Sequence, residues 1–227
     1  MNALVFGATG AIGSATVAKL AAGGMKVITT SRTPGSADIC VDPGADLATL
    51  AALDGHGPFA AVVWAQGSNV NDCAQAVEAE SFNAVIESNV TFVVATLGHL
   101  LRHECLAPRS SLVVVSSIWE PIGRPGKFSY TVSKAAIGGV VRAAAADLSS
   151  SGHRINAVLP GATDTPMTRS MLDPAQIDAV AGGTGFNRLV SLEEVAATIA
   201  WLCGEESTGI SGQSLAVDLG FSNVRTL

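Results

Sequence analysis

The stretch FGATGAIG, Phe6 to Gly13, sets glycines at 7, 10 and 13 between the apolar run ALVF (3–6) and an alanine-rich segment of helical period, 11–23. Strand, glycine turn and helix in that order make a phosphate cradle, because the helix start offers free N–H groups and the positive end of its dipole. Gly7 suits the tight turn, Gly10 a close approach of backbone to phosphate, and Gly13 close packing of helix on strand. The spacing G-x-x-G-x-x-G is not the usual G-x-G-x-x-G, so taken alone the loop also fits a plain βα turn of another doubly wound protein.

Outward from this loop the same alternation repeats. Short β-branched runs read as strands at 3–6, 27–30, 38–41, 61–65, 111–116, 155–159 and 214–219, and segments of helical period fall at 11–23, 44–53, 72–79, 81–104, 129–150 and 191–203. Repeated βαβ units of this kind predict an α/β fold: a three-layer, doubly wound parallel sheet of about seven strands in a single domain over 1–227. The Gly- and Pro-bearing stretch 160–190 reads as an irregular excursion. One connection is too short. Only SRTPGSA separates Thr30 from Asp38, where a parallel crossover takes about a dozen residues, so either its helix is missing or a strand is misassigned.

Composition narrows the function. The chain has 227 residues, 48% hydrophobic and 14% charged, with a formal net charge of -6 and no run of basic residues, so nucleic acid and anionic membranes are poor partners. Cys40, Cys73, Cys105 and Cys203 show no metal or redox spacing, and His56, His99, His103 and His153 show no paired carboxylate or metal spacing, so no metal site is expected. No leader and no apolar run of about 18 residues is read, which places the protein in the cytoplasm. The low charge favours a homo-oligomer and a small-molecule substrate.

Two further clusters carry chemistry. After the second strand comes Ser31-Arg32 rather than an acidic residue, and an arginine there suits the 2′-phosphate of NADP over the free ribose of NAD. In SYTVSKAAIGG the chain's single tyrosine, Tyr130, precedes Lys134 by one helical turn, an arrangement in which an ammonium lowers the pKa of a phenol. Thirteen residues before Tyr130, Ser116-Ser117 closes an apolar strand, where a hydroxyl can meet a carbonyl oxygen.

These marks, with INAVLPGATDTPM (155–167) and SGQSLAVDLG (211–220), make the sequence resemble the short-chain dehydrogenase/reductase family, which implies a Rossmann fold. The resemblance implies that Tyr130 is the general acid/base, that Lys134 lowers its pKa and binds the nicotinamide ribose, and that Ser117 positions the substrate oxygen. Asn89 then matches the asparagine of a proton relay. The implied cofactor-binding set is Gly7, Thr9, Gly10, Ala11, Ile12, Ser31, Arg32, Asp42, Ala65, Gln66, Gly67, Tyr130, Lys134, Pro160, Gly161, Thr163 and Thr165. Three features depart from the pattern. Trp64-Ala65-Gln66-Gly67 replaces N-N-A-G; Ala11 stands at the usual second glycine, as in longer members; and SRTPGSA shortens the segment beside the adenine.

The expected activity is NADP(H)-dependent interconversion of a ketone and a secondary alcohol. An epimerase or dehydratase that oxidises transiently, or a dinucleotide-binding regulator without chemistry, is the alternative; a dehalogenase-like relative is disfavoured by Lys134 and the glycine turn. Trp119, Glu120, Arg124, Met167, Met171 and Phe186 suggest an amphipathic substrate pocket, with Gly182, Gly183 and Gly185 as lid hinges. Arg109 and Arg169 match docking arginines of 3-oxoacyl-carrier-protein reductases. The resemblance also implies a tetramer or dimer paired through 81–104 and 129–150, where Ala143 to Ala146 permit close packing.

Overall fold

In a computed structural model, which describes residues 1–42, 44 and 47–224, the β-branched runs form one parallel sheet. Its strands are β1 (Asn2–Phe6), β2 (Lys26–Ser31), β3 (Ile39–Cys40), β4 (Phe59–Trp64), β5 (Leu106–Val115), β6 (Arg154–Pro160) and β7 (Ser214–Val217), in the order β3-β2-β1-β4-β5-β6-β7. Alternation along the central strands explains why helices cover both faces. Leu4 and Phe6 of β1 point into one apolar layer with Val62 and Trp64 of β4, whereas Ala3 and Val5 point into the other with Ala61 and Val63. Each large apolar side chain so buried is worth about 1.5–3 kcal/mol.

The second layer holds α1 (Ala11–Ala22) and α7 (Leu192–Cys203), which contribute Leu20, Val195, Ile199 and Leu202. The first holds a helical run, α2 (Ala79–Ile86) and α3 (Phe92–Arg102), and α4 (Phe128–Leu148). Helix 81–104 of the sequence reading thus starts earlier and is interrupted by a π turn, Glu87–Thr91, centred on Asn89. The expectation of no span-length apolar run is corrected too: the helical run Ala79–Arg102, 24 residues long, contains an 18-residue window of mean hydropathy 1.5. Its Phe92, Val93, Leu97 and Leu100 are nevertheless buried against the sheet.

The short link keeps its strands and lacks a helix. β3 pairs only with the last two residues of β2, Thr30 with Ile39 and Ser31 with Cys40, so the chain steps back hardly at all before pairing. Asp38 closes the loop by accepting hydrogen bonds from the Thr29 N–H at 2.9 Å and Thr29 Oγ1 at 2.7 Å.

Three other expectations change. The helix read at 44–53 is a 3-10 turn over Leu47–Leu53, with 43, 45 and 46 outside the described residues. The helix read at 72–79 is absent, because Asp72 is drawn into a bridge with Lys127 and its carboxylate accepts from the Ser129 N–H at 3.0 Å. The excursion 160–190 contains α5 (Pro166–Met171) and α6 (Pro174–Gly182), whose starts are capped by Thr165 and Asp173.

Candidate active site

β1 brings the glycine turn to the middle of the sheet, at the point where the chain winds one way through β2 and β3 and the other way from β4. Loops diverge there and leave a crevice beyond the strands' C-terminal ends. Gly7 has φ +70°, and a Cβ on it would lie 2.6 Å from the Gln66 backbone N. A Cβ on Gly13 would lie 2.1 Å from the Gly7 carbonyl oxygen, so α1 rests on the turn as closely as backbone allows. Gly10 differs, because its Cβ would meet only the Gly7 oxygen, at 3.4 Å. It stands at the N-cap of α1, which no side chain caps and whose first turn holds no acidic residue. The positive end of the helix therefore faces the crevice without protein competition.

The crevice encloses about 850 Å³ and gathers much of the sequence-expected set. Gly7, Thr9, Gly10, Ala11 and Ile12 form its floor, Ser31, Arg32 and Asp42 one end, Ala65, Gln66 and Gly67 a wall, and Thr165 the far side. Thr30, Thr33, Glu87 and Ser88 also line it and were missed. Arg32 is exposed, and among the described residues it makes no ion pair. Gln66 Oε1 is buried with no hydrogen-bond partner. Uncapped helix start, glycines packed to contact, an available guanidinium and an orphaned amide oxygen fit a phosphate-bearing dinucleotide.

A smaller cavity of about 160 Å³ adjoins it, and Ile12, Thr165 and Met167 line both. Ser117, Tyr130, Pro160, Gly161 and Thr163 line the smaller one, with Trp119, Arg124 and Met171. Only glycine fits at 161, since a Cβ would lie 2.9 Å from the Asp218 Cα. Ser117 is buried at the end of β5, and its Oγ accepts from the Trp119 N–H at 3.3 Å. Neighbouring Ser116 Oγ, also lining the cavity, is buried without a partner. Phe186 stays on the surface, 64% exposed.

α4 presents Tyr130 and Lys134 because its buried face runs Ser129, Ser133, Lys134, Ile137, Gly138 and Val141 at helical spacing. Lys134 is buried outside both cavities, and its Nζ donates to the Val115 carbonyl at 3.0 Å, 5.6 Å from the Tyr130 ring centre. Burial pulls the ammonium down to about 8, against the opposing charge of Glu120. The expected lowering of the Tyr130 phenol is corrected here: burial pushes it up, and a hydrogen bond with Ser117 offsets only part. Asn89 also lies outside the cavities, fully committed within the protein. Its Oδ1 accepts from the Ser68 N–H at 2.7 Å, and its Nδ2 donates to the Ser68 carbonyl at 3.0 Å and to Ser133 Oγ at 2.9 Å. It ties the loop after β4 to α4.

The family model described as Enoyl-(Acyl carrier protein) reductase matches residues 47–222. The chain belongs to the short-chain dehydrogenase/reductase family. It is 36% identical over 149 residues to the cis-4-hydroxycyclohexanecarboxylate dehydrogenase of Sinomonas cyclohexanicum, covering 65% of this chain and 59% of that protein. It is 34% identical over 158 residues to the glucose 1-dehydrogenase of Gluconobacter oxydans (strain 621H), covering 69% of this chain and again 59% of the relative. The match thus spans well under two thirds of either relative. Among solved structures, a gluconate 5-dehydrogenase from Burkholderia cenocepacia J2315 in complex with NADP and tartrate superposes with a TM-score of 0.93 over 99% of this chain and 96% of that one, at 22% identity.

Within this short-chain dehydrogenase/reductase frame, several side chains escaped the sequence. Lys127 lies in the small cavity, only 6% exposed, and its Nζ donates to Asn69 Oδ1 at 2.9 Å. Its place just before a helix start, where a cation opposes the dipole, was the available signal. The histidine reading is corrected as well. Asp54 pairs with His99 Nε2 at 2.8 Å and His103 Nδ1 at 3.4 Å, an acid brought from 45 residues away to the end of α3. Of the two arginines matched to docking positions, Arg109 lies in the first half of β5, towards the strand end opposite the crevice, and Arg169 lies beyond β6, paired with Asp164 at 2.8 Å.

Proposed function

We propose that this chain interconverts a ketone and a secondary alcohol using NADP(H). The observation that carries the reading is the meeting of Ser117 and Tyr130 in a small cavity that shares Ile12, Thr165 and Met167 with the larger crevice. Gly7, Thr9, Gly10, Ala11 and Ile12 would hold the pyrophosphate, Ser31 and Arg32 the adenosine phosphate, Asp42 the adenine side, and Pro160, Gly161, Thr163 and Thr165 the nicotinamide side. Such a cofactor, when bound, accepts or supplies the hydride.

Tyr130 exchanges the proton with the substrate oxygen, and Ser117 orients that oxygen by hydrogen bonding. Lys134, one turn along α4, provides positive charge behind the phenol and a contact to the nicotinamide ribose. Its task is demanding, since burial alone holds the Tyr130 phenol above its ordinary value. Asn89 acts as a positioning residue, fixing Ser68 and Ser133 around the site. The names of the relatives, dehydrogenases of a hydroxycyclohexane acid and of glucose, support action on hydroxyl carbons. The NADP in the Burkholderia structure, with exposed Arg32 here, supports NADP over NAD.

Self-association also belongs to this reading, supported by exposed Val94 and Leu101 on α3 and Phe128 and Val132 on α4. The test is a fluorescence titration with NADPH and NADH, followed by a carbonyl panel monitored through nicotinamide absorbance. Tighter binding of NADPH and turnover of a ketone are expected. Binding of neither dinucleotide would remove the reading.

A further inference from the structure

We infer that the small cavity takes a substrate carrying a carboxylate, gripped by Lys127 with Arg124 beside it, its reacting carbon directed to Ser117 and Tyr130. The reacting end rests on the oxidoreductase reading; the anion grip rests on the lysine itself. An ammonium has three protons to donate. Lys127 Nζ, on a residue only 6% exposed, finds one good acceptor, Asn69 Oδ1 at 2.9 Å, and a distant thioether, Met171 Sδ at 4.0 Å.

Asp72 is the acid charge acting on it, yet its carboxylate is engaged elsewhere: Oδ1 accepts from the Ser129 N–H and Oδ2 from Ser129 Oγ. Among the described ion pairs none includes Lys127. A buried ammonium with no carboxylate in direct contact is costly, and one at a helix start faces the wrong end of the dipole. An incoming carboxylate answers both. Arg124 lines the same cavity, its guanidinium 5.7 Å from the centre of the Trp119 ring, and adds like charge that an anion would also neutralise. Burial and Arg124 hold the Lys127 ammonium below its ordinary pKa, the direction expected of a cation awaiting its partner. Met171, Leu172, Val180 and Phe221 give the cavity an apolar side, beside the hydroxyls of Ser116, Thr163 and Thr168. A volume of about 160 Å³ admits a compact hydroxy or keto acid with a hydrocarbon body.

The test pairs hydroxy acids of cyclic and linear type with their methyl esters, assayed with NADP in wild type, Lys127→Met and Lys127→Arg. Wild type is expected to favour acid over ester by about ten- to a hundredfold in kcat/KM, the scale of a charged hydrogen bond. Lys127→Met should bring the ratio close to one, mainly through the KM of the acid, and Lys127→Arg should restore most of it. A second arm needs no turnover: cyclohexanecarboxylate, with its carboxamide as control, is titrated against Trp119 fluorescence, and Trp119→Phe identifies the signal. The carboxylate should alter that signal in wild type and Lys127→Arg but not in Lys127→Met. Turnover of neutral alcohols without any preference for acids, or carboxylate binding that survives Lys127→Met, overturns the anion grip and leaves the oxidoreductase reading standing. Lysine-dependent binding without turnover of any alcohol does the reverse.

Discussion

Replacing Lys134 by methionine should stabilise the fold near neutral pH while ending activity. Lys134 is 4% exposed, and burial brings its pKa from 10.5 to about 8. At about 1.4 kcal/mol per tenfold change in proton affinity, keeping it charged in the fold costs about 3 kcal/mol. Methionine fills similar space without charge but loses the hydrogen bond to the Val115 carbonyl, worth about 1 kcal/mol. The net expectation is a gain of about 2 kcal/mol at neutral pH. The sign follows from linkage. Since the folded pKa lies below the unfolded one, the penalty is complete below a pH of about 8 and fades as pH rises towards 10.5. The advantage of Lys134→Met in urea denaturation should therefore shrink between about pH 7 and about pH 10. A variant less stable than wild type at neutral pH, or a difference that ignores pH, would refute this reasoning.

The glycines should separate by role. Gly13→Ala, whose Cβ would collide with the Gly7 carbonyl, should lower stability by several kcal/mol in thermal melts, whereas Gly10→Ala, with 3.4 Å available, should melt like wild type and lose dinucleotide affinity in fluorescence titration. Asp72→Ala should cost about 1–2 kcal/mol in denaturant, since it removes the acceptor for the Ser129 N–H at the start of α4. Unchanged midpoints would show that the helix does not need this cap.

The sheet was legible because its central strands are buried on both faces and therefore read as continuous apolar runs, as at AVVWA and SLVVVS. The SRTPGSA link looked short for a crossover, and of the two explanations the missing helix holds, because a β3 that pairs only two residues needs none. The helices of the excursion had local signals that the glycines obscured: Thr165-Pro166 and Asp173-Pro174, the latter with Gln176 closing a capping box. The π turn at Asn89 was not legible, because a one-residue change of hydrogen-bond register leaves apolar spacing almost untouched. Nor was the pairing of Lys127 with Asn69, or Ser129 with Asp72, which joins positions 57 or 58 apart in sequence. The odd glycine spacing also resolves: 7 and 13 answer to packing within the protein, and 10 faces the crevice.

The most direct test of the account compares wild type with Tyr130→Phe on a ketone that wild type reduces, following NADPH oxidation and, separately, NADPH binding. Removing one hydroxyl from the cavity wall should abolish turnover and leave NADPH affinity nearly unchanged. Turnover close to wild type would contradict the assignment of proton transfer to Tyr130.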